Sequence, residues 1–459
     1  EAVRARLAAG WHREAICLLP EGVFRPFGGA AGRAVLLWLR RGGSGRTLWA
    51  VLRDPGWDVR SIHVRLTSDD ERRRLTGDDA WLRKMAPPML KMCDWIIAQR
   101  RLSTTTTADP KPVTDGLIRF TPYADYQDRT VDYYADAYCC IGLEHTATAL
   151  QAIGMQNEAR RLTTEATAYR SDILRSMDAA AFERDGMRLL PMEPDTHRLL
   201  KSTNYKGGGY YGLVASMFLE SEFLPAADER ARWVVDALER RRGLIMGMCE
   251  FDDGVDHAYT YGYWLNCLRR DDVRRVLLGF YATLAYGMGR DTYCGVEVTQ
   301  IMTGEPTPTT PHLYSGTQQL RLLRMMLLRE EGERLLIGHG IPQAWLKSGK
   351  RIEVRNAATA FGPVSFVIES AAGAGDIRVQ LDPPVVRPPA SIEIRLRHPA
   401  GRRLTGAIVN GKPVAAFADD ALRLATARSN ADPIVLLMDV LKTGHGTRRT
   451  EAQILTGQT

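Results

Sequence analysis

Two neighbouring stretches decide the fold, GMCEFDDGVDHAYTYGYWLNCL (residues 247–268) and GMGRDTYCGVEVTQIMTGEP (residues 287–306). Segment 259–268 lies at the end of the first stretch, and segment 272–286 lies between the two stretches. Both have apolar residues at helical spacing, and a short turn separates them. This pattern predicts an antiparallel helical hairpin. Long, acidic, aromatic and glycine-rich loops border the hairpin on both sides.

The same unit recurs along the first part of the chain. Apolar residues at helical spacing predict further helices over 79–99, 131–153, 157–177, 210–220, 226–241 and 312–330, with weaker segments at 30–41, 46–53 and 60–75. Short turns place neighbouring helices antiparallel. About eleven or twelve helices in six hairpins predict an (α/α)6 barrel. An irregular helical array or a solenoid is the alternative, although no repeat of fixed length is visible.

The pattern of apolar and polar residues changes after residue 335. Segments such as RIEVRNAAT, GPVSFVIES and SIEIRLRHP alternate apolar and polar residues, which predicts strands. The dipeptide Asn410–Gly411 predicts a hairpin turn. We therefore predict a helical domain over 1–335, with 1–60 as a segment leading into the barrel, a small antiparallel β-sandwich over 336–440 and a tail over 441–459.

Composition narrows the possible functions. The 459 residues are 45% hydrophobic and 25% charged, with a net charge of +7 and seven cysteines. No apolar run is long enough to suggest a membrane span, and no nucleic-acid-binding signature is present. The odd cysteine count favours buried free thiols, and no histidine pair has metal-ligand spacing. We predict no membrane, nucleic-acid, metal or cofactor partner, whereas a cytoplasmic or exported location and the oligomeric state stay open.

The long connections between the predicted hairpins carry the unusual side chains. They span 102–130, 181–209, 243–258 and 287–311, whereas the turns within the hairpins are short. In a helical barrel the connections at one end meet at one face, and functional residues concentrate on such loops. The sequence therefore predicts a cleft at that face.

Two of these loops hold clustered carboxylates among aromatic residues. Glu250, Asp252, Asp253 and Asp256 lie within EFDDGVD, and Glu297 lies within YCGVEVTQ. Two acids on either side of a scissile bond, with aromatic faces that stack on sugar rings, are what a glycosidase needs. The alternative interpretation is a set of solvated loop acids.

Candidate substrate-binding residues surround these acids. Three glycines before Tyr210 allow a ligand to approach the backbone closely. Tyr259 is our choice for stacking on a sugar, and His312 either contacts a hydroxyl group or caps the last helix. The full candidate set is Asp252, Asp256, His257, Tyr259, Trp264, Arg129, Tyr210 and His312.

Four parts of the chain, taken in order, resemble the six-hairpin glycosidase superfamily. They are TGDDAWLRKMAPPMLKMCDWIIAQRR (76–101), GLIRFTPYADYQ with DAYCCIGLEHTATALQAIG (116–127 and 136–154), the 250–330 stretch, and a sandwich containing VRNAATAFGPVSFVIES, IEIRLRHP and VNGKPV. The resemblance covers residues 60 to 415. It implies an (α/α)6-barrel glycoside hydrolase with a C-terminal β-sandwich. It also implies that Glu297 is the general base and that Asp125 faces the cleft.

The sequence therefore predicts a glycoside hydrolase that acts on oligo- or polysaccharides, with inversion of configuration. Glu297 would activate water, and Glu250, Asp253 or Asp125 would protonate the leaving oxygen. One alternative is a polysaccharide lyase that uses Tyr259 and His257, with Arg129 neutralising a uronate. Another is a non-catalytic carbohydrate-binding scaffold.

Overall fold

A computed structural model describes most of the chain. The described residues are 11–18, 35–41 and 48–51 for the backbone alone, and 79–104, 112–120, 129–195, 197–199, 209–241, 243–251, 254–288, 294–307, 310–372, 376–384, 387–402, 404–414, 417–418, 421–425 and 434–440. The chain divides into two compact units, residues 1–85 and 86–459. Each unit is described by itself below.

The first unit contains a three-stranded sheet of β1 (Trp11–Leu18), β2 (Val35–Arg41) and β3 (Leu48–Val51), in the order β2-β1-β3. Strand β1 is antiparallel to β2 and parallel to β3. The helices predicted over 30–41 and 46–53 are therefore wrong. A short apolar run fits a buried strand as well as a helix, and periodicity alone does not separate the two. The helix predicted over 60–75 lies outside the described residues.

Eight α-helices occur among the described residues. They are α1 (Asp79–Ser103), α2 (Tyr133–Ala152), α3 (Gln156–Ala180), α4 (Gly209–Glu220), α5 (Glu229–Arg240), α6 (Tyr261–Arg269), α7 (Val273–Tyr286) and α8 (Leu313–Leu327). Each helix of the second unit coincides with a predicted one to within a few residues.

The helices of the second unit form an inner and an outer set. Helices α2, α4, α6 and α8 contact one another in that order, and α3, α5 and α7 each pack against the inner helix that precedes them. Every residue of α6 from Tyr261 to Leu268 is buried. In contrast, α5 buries one apolar stripe that includes Val234 and Leu238. An all-round buried helix belongs inside a fold, and an amphipathic helix belongs at its surface.

Short turns and long connections alternate along this array. Helices α2 and α3 are joined at Gly154, whose φ of +82° suits glycine. The connections 181–208, 241–260 and 287–312 are long, and each leads into the N-terminal end of an inner helix. Residues 254–256 of the second connection pair with residues 298–300 of the third. That all the long connections meet at one face stays a prediction. The described residues supply eight helices rather than the twelve of a complete six-hairpin barrel.

The second unit also contains strands. Short strands occur among the helices as β4 (Arg119–Phe120), β5 (Thr130–Val131), β6 (Phe182–Arg184), β7 (Met187–Leu189), β8 (Leu244–Ile245), β9 (Met248–Phe251), β10 (Gly254–Asp256) and β11 (Val298–Gln300). The C-terminal strands are β12 (Leu328–Glu331), β13 (Arg334–Ile337), β14 (Arg351–Ala357), β15 (Val364–Ala371), β16 (Asp376–Asp382), β17 (Ser391–Arg395), β18 (Leu404–Val409), β19 (Lys412–Val414), β20 (Phe417–Ala418), β21 (Ala421–Ala425) and β22 (Ile434–Val440).

The C-terminal strands form two sheets around one hydrophobic core. The sheet orders are β12-β13-β17-β21-β20 and β14-β15-β16-β22-β18-β19. Ile337 and Ile394 of the first sheet share that core with Phe366 and Val379 of the second. Asn410 and Gly411 form the turn between β18 and β19 with φ values of +48° and +77°, which confirms the predicted hairpin turn. A helical part followed by a β part is therefore present, and the tail at 441–459 lies outside the described residues.

Candidate active site

The two acidic loops are joined in one small sheet. Strands β8 to β11 are ordered β11-β10-β9-β8, and β10 pairs with both β9 and β11 in antiparallel fashion. Asp256 lies opposite Val298, and Val255 lies opposite both Glu250 and Thr299. The backbone N–H of His257 also donates to the carbonyl of Glu297 at 2.8 Å. Hydrogen bonds of this sheet therefore hold the two loops beside each other.

Asp256 is a buried carboxyl group at the end of β10. Its Oδ1 accepts the backbone N–H groups of Ala258 and Tyr259 at 2.9 and 2.7 Å, and so it stabilises the turn that leads into α6. Burial raises the pKa of Asp256 to about 7, and the charge of Glu297 raises it further against the effect of the two backbone donors. Asp256 is therefore largely protonated just below neutral pH and lies within electrostatic reach of Glu297.

Glu297 is the accessible carboxylate of this pair, with a side chain that is 31% exposed. His312 Nε2 lies 3.9 Å from Glu297 Oε1. His312 Nδ1 caps helix α8 by accepting the N–H of Ser315 at 3.3 Å. Because Nδ1 accepts this bond, the ring carries its N–H on Nε2, on the side of Glu297.

His257 is a buried support behind this pair. Thr299 Oγ1 donates its hydrogen to the carbonyl of Tyr286 at 2.7 Å, so His257 Nε2 must donate to that hydroxyl at 3.0 Å. Nδ1 is then an acceptor that faces Gly287, and it has no donor among the described residues. Burial lowers the His257 pKa to about 4. His257 is therefore neutral and fixes β11 relative to α7.

Four tyrosine rings form two pairs, and one of the rings belongs to Tyr259, whose backbone N–H donates to Asp256. The rings of Tyr259 and Tyr314 have centroids 5.5 Å apart, and those of Tyr134 and Tyr138 are 5.2 Å apart. Burial, followed by the charges of Glu220, Tyr134 and Tyr314, raises the pKa of Tyr138 above its ordinary value. The two pairs are therefore neighbours, and Tyr138 and Tyr314 remain 42% and 41% exposed.

The sequence analysis missed three of these tyrosines, Tyr134, Tyr138 and Tyr314. Tyr134 and Tyr138 are four residues apart on α2, a spacing that puts them on one helix face and could have drawn attention to them. Asp132 caps α2 by accepting the N–H of Tyr134 at 2.8 Å, which fixes the start of that face. Nothing in the local sequence of Tyr314 distinguishes it from a core aromatic residue.

An ion pair lies deeper between the inner helices and was also missed. Arg321 of α8 contacts the carboxylate of Glu220 of α4, and its guanidinium lies 3.9 Å from the ring centroid of Tyr261. Because these residues come from three different inner helices, the pair connects the helices below the tyrosines. Sequence patterns cannot pair residues that are so far apart along the chain.

Two predicted substrate-binding residues lie in the core. Trp264 is 0% exposed, and its Nε1 donates to the carbonyl of Gly247 at 2.7 Å. Tyr210 is 2% exposed and packs edge-to-face against Phe251 at 5.3 Å. Neither ring is accessible to a ligand, because helices α4 and α6 belong to the inner set and are buried on all sides.

Of the other predicted site residues, two have described positions and three lie outside the described residues. Glu250 is 4% exposed on β9 and lies beside Val255. Arg129 is exposed and donates to the carbonyl of Arg119 at 2.7 Å. Asp125, Asp252 and Asp253 lie outside the described residues.

Three general features of the described residues bear on function. They contain no group of three His, Cys, Asp or Glu side chains arranged to hold a metal ion. No described helix is long and apolar enough to cross a membrane. The six described cysteines are free thiols, of which Cys93, Cys140, Cys249 and Cys267 are buried.

Comparison with known proteins gives likenesses in structure alone. No family model matches the sequence, and no curated protein matches it. Solved structures with a similar course of the chain are an α-L-rhamnosidase from Dictyoglumus thermophilum (8% identity, TM-score 0.44) and a GH127 β-L-arabinofuranosidase from Geobacillus stearothermophilus T6 (11% identity, TM-score 0.28). A third is described as a glycoside hydrolase (11% identity, TM-score 0.31).

The alignments with these three structures cover most of this chain. They cover 79%, 66% and 79% of this chain, and 38%, 62% and 72% of the rhamnosidase, the arabinofuranosidase and the third protein, respectively. All three neighbours are glycoside hydrolases. Their TM-scores lie below 0.5, so these likenesses assign no function to this chain.

Proposed function

We propose that the protein is a glycoside hydrolase with Glu297 as its general base. The observation that carries the proposal is the accessible carboxylate of Glu297, which the small sheet holds beside the buried carboxyl group of Asp256. Burial raises the pKa of Asp256, so its neutral form is favoured. A hydrolase of this kind needs one ionised and one neutral carboxyl group, which different environments can provide.

In the proposed reaction Glu297 removes a proton from water as the water attacks the anomeric carbon. His312 Nε2–H, 3.9 Å from Glu297 Oε1, is positioned to hold the carboxylate in one orientation. Tyr259 and Tyr314 offer ring faces on which a sugar can stack, and this stacking would hold the anomeric carbon near the water. We expect the helices to form part of a complete (α/α)6 barrel, as the resemblance implies.

The second carboxyl group protonates the leaving oxygen. Among the described residues we propose Asp256 for this role, because it lies opposite Val298 in the same small sheet as the Glu297 loop and burial raises its pKa to about 7. Asp256 is only 1% exposed, so the proposal requires that substrate binding uncovers its carboxyl group. Glu250, Asp253 and Asp125 remain the alternatives predicted from sequence. We retain inversion as the stereochemical outcome, which proton NMR of the first-formed anomer tests.

The decisive experiment compares Glu297→Gln with Glu305→Gln on a panel of aryl glycosides and neutral oligosaccharides. Glu305 is an exposed acid in the same connection and serves as the matched control. Loss of a general base should lower kcat by ~10²–10⁴-fold, whereas the control should behave as the unmodified protein. Turnover at the original rate in Glu297→Gln would remove Glu297 from the mechanism.

Two outcomes would point to the rival functions. Glycan binding without turnover of any linkage would indicate a carbohydrate-binding scaffold. Release of unsaturated uronate products would indicate a lyase. No described contact favours the lyase, because His257 is buried and neutral and Arg129 lies on a backbone carbonyl.

A further inference from the structure

An open groove lies beside the outer helices α3 and α5 and strand β7. It has a volume of about 560 Å³ and is lined by Asp178 of α3, Arg188 of β7, and Glu229, Arg230 and Trp233 of α5. None of these residues belongs to the inner helices or to the sheet that holds Glu297. The groove is therefore a separate feature of the surface, and the proposed hydrolysis does not use it.

The polar wall of the groove is held in place by ion pairs. Arg230 donates through Nε and Nη2 to the two carboxylate oxygens of Asp178 at 2.7 and 2.8 Å. Its Nη1 contacts Asp228 at 3.1 Å. This bidentate geometry fixes Asp178 relative to α5. The polar atoms at the base of the groove are thus preorganised on two helices.

The aromatic wall is Trp233, which is partly exposed. The guanidinium carbon of Arg188 lies 5.3 Å from the centroid of its ring. Closer stacking occurs elsewhere in the same molecule, with 3.9 Å for Arg321 on Tyr261 and 4.2 Å for Arg170 on Phe223. Arg188 therefore lies over one face of the indole at the outer end of the cation–π range, and a ligand would stack on the exposed part of the ring.

We propose that this groove is a second, non-catalytic binding site for a neutral sugar. Its two acidic and two basic lining residues cancel in charge, so an ionic ligand gains no net attraction there. An indole ring beside fixed carboxylate and guanidinium groups suits a ligand with an apolar ring face and a rim of hydroxyl groups, which is the chemistry of a pyranose. The volume lies within the ~300–1,000 Å³ that small-molecule sites occupy.

The test uses Trp233→Ala, with Trp95→Ala as a matched control. Trp95 is 53% exposed on α1 and does not line the groove. Both changes are made in the Glu297→Gln protein, so that hydrolysis does not consume the probe. Binding to arabinoxylan, galactomannan, dextran and polygalacturonate is measured by affinity electrophoresis, and unfolding in urea shows that each variant is folded.

We expect retardation by at least one of the three neutral polysaccharides, weakened about tenfold by Trp233→Ala and unchanged by Trp95→Ala. Retardation by none of them, equal loss in both variants, or retardation by polygalacturonate alone would overturn the proposal. Turnover of short aryl glycosides by Trp233→Ala with Glu297 intact should match that of the unmodified protein. The proposed sugar site in the groove and the assignment of Glu297 as general base can therefore be refuted independently of each other.

Discussion

Nε2 of His312 lies 3.9 Å from Oε1 of Glu297, while Nδ1 of the same ring caps helix α8 through Ser315. One side chain thus caps a helix and lies beside the proposed base. This double role makes the two functions separable by substitution, because Asn can cap a helix but is too short to reach Glu297.

We predict that His312→Asn and His312→Ala lower kcat to a similar extent, by about tenfold, with little change in KM. Only His312→Ala should also lower the free energy of unfolding, by ~1 kcal/mol, because it removes the helix cap. Steady-state kinetics and urea unfolding of the two variants check this. If His312→Asn keeps full kcat, the ring does not position Glu297.

Asp256→Asn tests the proposed acid. The amide oxygen of Asn can still accept the N–H groups of Ala258 and Tyr259, so the turn before α6 should persist. Because Asp256 has a pKa of about 7, the activity of the unmodified protein should fall as pH rises through that value. In Asp256→Asn we expect kcat to drop ~10²-fold or more and the remaining rate to lose this basic limb.

The pH–rate profile separates catalysis from folding. A structural role alone for Asp256 would leave the basic limb near pH 7 in place in the variant. If Asp256→Asn keeps this basic limb, the general acid is Glu250, Asp253 or Asp125 instead. Restoration of activity by azide, with an aryl glycoside that has a good leaving group, cannot replace this measurement. Azide can restore activity after loss of either carboxyl group, so it does not distinguish Asp256 from Glu297.

The sequence predicts most of the described helices of the second unit but only part of the candidate site. Apolar residues at helical spacing predicted α6 and α7 and the short turn between them. Trp264 was a candidate for substrate binding because aromatic residues cluster at the start of α6, next to the acidic loop. Periodicity shows which side chains share a face and not whether the opposite face is also covered. An inner helix such as α6 is covered on both, so its aromatic residues are core.

The small sheet at the site was not predictable for a different reason. Strands β10 and β11 have three residues each, too few to show an alternation that differs from a loop. Their pairing joins Asp256 to Val298 across the whole hairpin of α6 and α7. Only the long-range register shows that Glu297 and Asp256 belong together, although both were singled out individually.

Buried ionisable groups should give the stability an unusual pH dependence. Burial raises the pKa of both Asp136 and Asp256 from 3.8 to about 7, so the folded protein binds more protons than the unfolded chain between these values. Stability from these two groups is therefore lost as pH rises from 3.8 to 7. His257 acts oppositely: its pKa falls from 6.5 to about 4, so its contribution is lost as pH falls through that window.

Burial also raises the pKa of Asp132 and lowers that of His339, so three carboxyl groups oppose two imidazoles where the windows overlap. The carboxyl groups outweigh the imidazoles there, and above the ordinary His pKa these imidazoles no longer contribute. We predict a lower free energy of unfolding at about pH 8 than at about pH 5.5, measured by urea denaturation. The double variant Asp136→Asn/Asp256→Asn should lose most of this difference. A free energy that climbs steadily over the same range would contradict the burial of these carboxyl groups in neutral form.

Close contact between α6 and α7 depends on a glycine. A Cβ atom on Gly279 would lie 2.6 Å from Cε2 of the buried Trp264, whose Nε1 is already bonded to Gly247. We predict that Gly279→Ala lowers the free energy of unfolding by ~1–3 kcal/mol, because the indole cannot move without losing that hydrogen bond.

Gly142→Ala is the matched control, since Gly142 lies within α2 and a Cβ there meets nothing within 4 Å. This change should raise the free energy of unfolding by roughly 0.5–1 kcal/mol, the usual gain of Ala over Gly in a helix. Urea unfolding of both variants at one pH measures the two effects with opposite signs. Equal stability of Gly279→Ala and the unmodified protein would mean that Trp264 does not fill the space between the two helices.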